Sequence, residues 1–141
     1  MPYGTVKADT ITGSTKSITT DQIGQLNTAQ TFTAAQRGTV SALTSAASVT
    51  PDFALANNFS LTLAHGVTLQ NPTNLTAGQS GVIVITQAAS GTAYTVSYGS
   101  AWKFQGGAPS ISSTFSSVNV IAYYVESASR ITATLLTNTI S

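Results

Sequence analysis

The stretch Val118-Asn119-Val120-Ile121-Ala122-Tyr123-Tyr124-Val125 decides the fold. It is filled with β-branched and aromatic residues. In an extended chain, alternation puts Val118, Val120, Ala122 and Tyr124 on one face and Asn119, Ile121, Tyr123 and Val125 on the other. Residues 126–130 supply a turn and residues 131–136 return with similar chemistry, so the two runs read as a terminal hairpin. Upstream, Val82-Ile83-Val84-Ile85 is apolar on both faces, which predicts a central strand covered on both sides.

Further strands are predicted over 39–44, over 53–56 after Pro51, over 59–63 after an Asn57-Asn58 turn, at Val67 to Leu69, and over 93–98. A Gly-rich bend through Gly99, Gly106, Gly107 and Pro109 carries Trp102 and Phe104, which alternate about Lys103 like an irregular strand. Seven or eight short strands in about 100 residues predict an all-β fold, an antiparallel, jelly-roll-like β-sandwich over 39–141. No fixed-period repeat emerges, which disfavours a stacked solenoid.

Residues 1–38 differ in character: Thr, Ser, Gln and Gly dominate, and few large apolar residues interrupt them. They read as an extended N-terminal arm, with one short strand over 5–12 whose partner is not obvious nearby and one helical turn at most near Thr33-Ala34-Ala35-Gln36. The whole chain of 141 residues is long enough for one domain and an arm.

Composition excludes several functions. Charged residues are 6% of the chain against roughly 25% in ordinary soluble domains. The five cations, Lys7, Lys16, Arg37, Lys103 and Arg130, are scattered, so no nucleic-acid footprint is expected. Thr (24) and Ser (18) occupy the space that charge would fill, giving a polar but neutral surface. With no cysteine, disulfides and thiolate metal sites are impossible. A single His65 leaves one imidazole per chain, and no metal or other cofactor is expected. No long apolar run or apolar leader is present, so neither a membrane span nor a secretory signal is expected, and the Asn58-Phe59-Ser60 and Asn74-Leu75-Thr76 sequons read as chance.

The catalytic alternatives are thin. Asp9, Asp21, Asp52 and Glu126 are far apart in sequence, no G-x-S-x-G elbow accompanies His65, and Gly78-Gln79-Ser80-Gly81 lacks the Lys-Ser/Thr ending of a phosphate loop. No catalytic residue is therefore expected, and His65 beside Gly66 reads as a turn residue. The aromatic group Tyr94, Tyr98, Trp102 and Phe104 is the one group that could bind a ligand; it reads as packing at the mouth of the sandwich or as subunit contact, with stacking on a sugar as the alternative.

Three stretches carry a resemblance: the run Asn71-Pro72-Thr73-Asn74-Leu75-Thr76-Ala77-Gly78-Gln79-Ser80-Gly81, then Gly99-Ser100-Ala101-Trp102-Lys103-Phe104, then Val120-Ile121-Ala122-Tyr123-Tyr124-Val125. Together they resemble a β-rich module of tailed-bacteriophage virion proteins. The opening Met1-Pro2-Tyr3-Gly4-Thr5-Val6-Lys7-Ala8-Asp9-Thr10-Ile11 is similar to the start of many phage tail-fibre and head-decoration proteins. The resemblance implies a non-enzymatic, usually trimeric component on the capsid surface of the virion. Its partners would be the major capsid protein and its own copies, and neither nucleic acid nor membrane. The shaft repeats of a long fibre are missing, which favours a decoration or cement protein over a tail fibre adsorbing to host glycan. On that reading Tyr3, Val6, Lys7, Ile11, Ile18, Ile23, Leu26 and Phe32 of the arm are the expected capsid contacts, and Tyr98, Trp102 and Phe104 the expected oligomer or ligand contacts.

Overall fold

A computed structural model describes residues 10–12, 17–19 and 35–139. The chain divides into two compact units, Met1–Gln36 and Arg37–Ser141. In the first, β1 (Thr10–Thr12) pairs antiparallel with β2 (Ser17–Thr19), Ile11 standing opposite Ile18. The strand expected over 5–12 is thus described only at its end, and its partner lies close by in sequence after all.

The second unit is all-β: every regular element among its described residues is a strand. They are β3 (Val40–Leu43), β4 (Ser48–Val49), β5 (Asn58–Thr62), β6 (Val67–Leu69), β7 (Ser80–Thr86), β8 (Val96–Tyr98), β9 (Trp102–Phe104), β10 (Val118–Ser127) and β11 (Arg130–Thr139). Two sheets hold them, one in the order β3-β5-β7-β10-β11-β9 and one in the order β4-β6-β8. The terminal hairpin β10–β11 and the central position of β7, between β5 and β10, are as the sequence predicts.

Pairing direction is where the sequence expectation and the structure part. Antiparallel pairing joins β7, β10 and β11, but β3, β5 and β7 run parallel, as do β4, β6 and β8. The chain therefore alternates between sheets and lays each strand on its counterpart one turn earlier: Val40 meets Asn58, which meets Val82, while Ser48 meets Thr68, which meets Ser97. A parallel bridge between Asp52 and Thr73 marks a third point of contact. These are stacked coils, an arrangement in which each turn contacts its neighbours. The successive coils differ in length, so a fixed-period search passes over them. The hairpin β10–β11 then closes the stack on the β7 side, and β9 pairs parallel to β11 at the far edge.

Between the two sheets lies one core. Phe59, Ile83 and Ile121 form a row across the large sheet and Leu61, Ile85 and Asn119 the next, all at most 1% exposed. From the small sheet Val49, Val67, Leu69 and Val96 face them. Residues 53–56, expected to be a strand, form a turn instead. Phe53 N–H donates to the Thr73 carbonyl (3.0 Å), which anchors that turn to the coil above and sends the ring into the core.

Candidate functional site

Of the aromatic group singled out by sequence, Trp102 belongs to the core. It is 5% exposed, its Nε1 donates to the Gln70 carbonyl (3.0 Å), and its ring meets Phe53 and Tyr123 edge-on, each at 6.3 Å. Phe53 stacks on Phe59 at 5.3 Å and lies 4.7 Å from Tyr123, whose hydroxyl donates to the Asn57 carbonyl (2.7 Å). Edge-on and offset contacts of this kind add to burial. Trp102 is thus a packing residue with almost no surface to offer a partner.

Tyr98 and Phe104 lie apart from that cluster, both half-buried, with ring centres 4.6 Å apart. The Tyr98 hydroxyl is buried without a hydrogen-bond partner, and burial pushes its ionisation up to about 12. Phe104 forms one wall of a cleft of about 180 Å³ with Gln105, Gly107, Pro109, Ala133, Thr134 and Leu135. Gly106 and Gly107, with φ of 80° and 101°, make the bend that forms its lip, a conformation side-chain-bearing residues seldom adopt. A space of this size is below the roughly 300 Å³ of ordinary ligand pockets and suits one ring at most. Tyr94 is held by its backbone on the buried Gln87.

That glutamine, 1% exposed, is a polar element the sequence reading missed. Its Nε2 donates to the carbonyls of Tyr94 (2.9 Å) and Ser112 (3.1 Å), and its Oε1 accepts from the backbone N–H of Ala88 and Tyr94, each at 3.0 Å. Asn71 plays a similar part, accepting at Oδ1 from Ala101 N–H (2.7 Å) where Gly99 leaves no space for a side chain. Asn119 Oδ1 accepts from Ser112 N–H (2.9 Å), while its Nδ2 and the Ser117 hydroxyl are buried without partners.

The carboxylates that the structure describes serve turns. Asp52 accepts from Asn74 Nδ2 (2.7 Å) and Ala54 N–H (2.9 Å), and these bonds, Asn74 first, lower its pKa. Asn74 itself sits at φ 57°, a left-handed position asparagine tolerates. Glu126 accepts from the Thr132 hydroxyl and pairs with Arg130 (2.8 Å) at the β10–β11 turn, and both bonds lower its pKa, Thr132 contributing most. His65 is exposed beside Gly66. Among the described residues no group of three or more His, Cys, Asp or Glu is placed to hold a metal.

The broadest chemical feature is the outer face of the large sheet. Val40, Asn58, Val82, Ala122 and Thr134 form one row across it, and Ala42, Ser60, Val84 and Val120 the next. Val82, Val84, Val118, Val120 and Ala122 are partly exposed, Tyr124 is 51% exposed and Leu136 60%. Solvent-facing sheet surfaces ordinarily carry polar and charged side chains. Among the described strands of this sheet, the charged residues are Glu126, Arg130 and Lys103, which lie around Thr132 at one corner. Period-2 alternation in β7 and β10 carried this signal in the sequence, but did not say which face meets the core.

Of the expected capsid contacts, Ile11 and Ile18 are register partners across β1–β2. Tyr3, Val6, Lys7, Ile23, Leu26 and Phe32 lie outside the described residues. Comparison with protein-family models, curated proteins and solved structures gave no match to this chain.

Proposed function

We propose that this chain is a non-enzymatic component of a tailed-bacteriophage virion, a capsid decoration or cement protein. It trimerises and stabilises the shell by clamping major capsid subunits with residues 1–38. The observation that carries the reading is a sheet surface built of Val, Ala, Ser and Thr with its charge pushed to a corner, a surface suited to contact with protein. The resemblance of the Asn71–Gly81, Gly99–Phe104 and Val120–Val125 stretches to phage virion modules supplies the setting. Asp52 and Glu126, both committed to turns, support a structural role for the acidic groups.

A second reading, a tail-fibre or tail-tip protein that adsorbs host glycan, draws on the Phe104 cleft, where an aromatic wall and the Thr134 side of β11 would meet a sugar ring. The two separate in one experiment. Full-length protein is mixed with capsids lacking it, and with host cell-surface glycan, and pelleting is measured for each. Saturable capsid binding supports decoration. Binding to glycan alone overturns it in favour of adsorption.

A further inference from the structure

We infer that Asn119 and Ser117 are a binding site for one internal water molecule, which joins β10 to the loop that covers the end of the core. The site involves neither the outer sheet surface nor the Phe104 cleft nor residues 1–38, so it stands whether or not the decoration reading does.

The alternation of β10 makes the site. Tyr123, Ile121 and Asn119 turn inward along the strand, and Ser117, just before its first residue, continues the series; all four are buried. Across the ladder Ile85 stands opposite Asn119. Gln87 N–H donates to the Ser117 carbonyl (2.9 Å), which carries that ladder one step further. The inner face of the large sheet therefore changes from Phe59, Ile83 and Ile121 at its middle to Gln87, Asn119 and Ser117 at one end, each at most 1% exposed.

Hydrogen bonding fixes the chemistry on offer. Asn119 Oδ1 accepts from Ser112 N–H (2.9 Å) and the Ser112 carbonyl accepts from Gln87 Nε2 (3.1 Å), so the Ser112 backbone is clamped across the end of the core. Turning the Asn119 amide over would set its NH2 against the Ser112 N–H, donor against donor, so the oxygen stays where it is. The unpaired group of Asn119 is then the donor Nδ2. Two residues away on the same face, the Ser117 hydroxyl is also without a protein partner and can either donate or accept. Both residues are 0% exposed, so bulk solvent does not reach them, and a buried donor without an acceptor is costly.

The ligand must accept from Nδ2, which excludes a metal ion or any other cation. An anion accepts, but needs a positive charge close by. Arg130 is paired with Glu126, and Lys103 stands beside Thr132, at the other end of the sheet, roughly 20 Å along β10 from Asn119. Arg37 precedes Gly38, which lies against Asn58 where β5 meets Val82, and His65 is exposed. A small neutral acceptor is left, and water is the one at hand: it takes the hydrogen of Nδ2 and gives one to the Ser117 oxygen. The reach fits. Residues two apart on a strand are roughly 6.6 Å apart, and one oxygen with two bonds of about 2.9 Å spans up to about 5.8 Å between side-chain atoms.

The covering loop holds the water in. Ser117 N–H donates to the Thr114 carbonyl (3.2 Å), Ser116 N–H to the Ala88 carbonyl (3.0 Å) and Thr114 N–H to Ser112 Oγ (3.1 Å). These bonds must open before the water leaves, so it stays far longer than the protein takes to tumble.

The test combines a crystal structure of the full chain with oxygen-17 relaxation dispersion, which counts long-lived waters in solution. Both are set beside Ser117→Val, whose methyl groups fill the water's place and offer no hydrogen bond. A solvent peak within about 3.2 Å of both Asn119 Nδ2 and Ser117 Oγ, with one long-lived water fewer in Ser117→Val, supports the site. The site is overturned if no such peak is found, if the peak reaches only one of the two atoms, or if it carries the anomalous signal of a halide. An unchanged count of long-lived waters in a Ser117→Val protein that Trp102 fluorescence shows to be folded overturns it as well. If Ser117→Val fails to fold, the crystal decides by the same criteria: a peak shared by both atoms supports the site and any other outcome overturns it.

Discussion

Gln87→Leu removes the polar centre that ties the loop after β7 to the segment before β10. Four hydrogen bonds vanish, to Ala88, to Tyr94 twice and to Ser112. A neutral intramolecular hydrogen bond is worth about 1 kcal/mol net, so the loss begins at about 4 kcal/mol. All three partner residues are half-buried, so water reaches their freed groups and the full penalty for orphaned dipoles is not incurred. Leucine recovers about 1 kcal/mol through apolar burial in the same volume. The expected destabilisation is therefore about 2–3 kcal/mol, measured as a shift in the urea midpoint with Trp102 fluorescence as the probe. Hydrogen exchange should quicken at the amides of Ala88 and Tyr94, which lose their acceptor. Gln87→Glu sharpens the test. A carboxylate cannot donate to the Tyr94 and Ser112 carbonyls, so this variant should be weaker than Gln87→Leu at neutral pH and recover when acid protonates it. A Gln87→Leu protein within about 0.5 kcal/mol of the native chain would refute the reasoning, because it would mean that solvent replaces the side chain without cost.

Gly81→Ala should cost about 3 kcal/mol or more, since the new Cβ lands on the Asn57 carbonyl between β5 and β7; a thermal melt measures it. Trp102→Phe leaves the Gln70 carbonyl without its donor and a gap in the ring cluster, an expected loss of about 2 kcal/mol by urea denaturation followed by circular dichroism. Burial raises Tyr98 and Tyr123 to about 12, against about 10 in the unfolded chain, so the stability they contribute is fully present below pH of about 10 and is lost as pH rises through about 12. Tyrosinate absorbance should show two rings ionising together with unfolding, and their ionisation in a still-folded protein near pH of about 10 would contradict the burial argument.

The strands that alternate strongly were legible in the sequence, while their pairing directions were not. The 82–85 run announced a central strand, and β7 does lie between β5 and β10, but only its Ile83 and Ile85 face is buried; the Val82 and Val84 face, expected to be covered as well, is partly exposed. The turn of residues 126–130 fixed the hairpin because short connections force neighbours to be antiparallel. Between β3 and β8 the connections are long enough to carry the chain to the other sheet and back, and period-2 patterning does not say whether the next strand pairs with the last one or with the one before it. Ser48–Val49 escaped notice because two residues hold no period. Residues 53–56 looked like a strand because Phe53 is large and apolar, but that ring is buried by a turn that hydrogen bonds to Thr73 hold in place. In the aromatic group, composition alone could not separate Trp102, closed into the core, from Phe104, which lines a cleft. Gln87 and Asn71 were invisible for the opposite reason: surface and core amides look the same in a sequence, and only folding brings their backbone partners to them.

The most direct test of the account is the attachment of the protein to a phage shell. Capsids from a tailed bacteriophage that carries this chain, prepared without it, are incubated with full-length protein and with a chain lacking residues 1–38, and bound protein is quantified after sedimentation. The account predicts that full-length protein saturates the shell at a fixed ratio to the major capsid protein. It also predicts that the shortened chain stays folded, by Trp102 fluorescence, and fails to pellet. Full-length protein that ignores the shell would contradict the decoration role, and equal binding by the shortened chain would contradict the clamp.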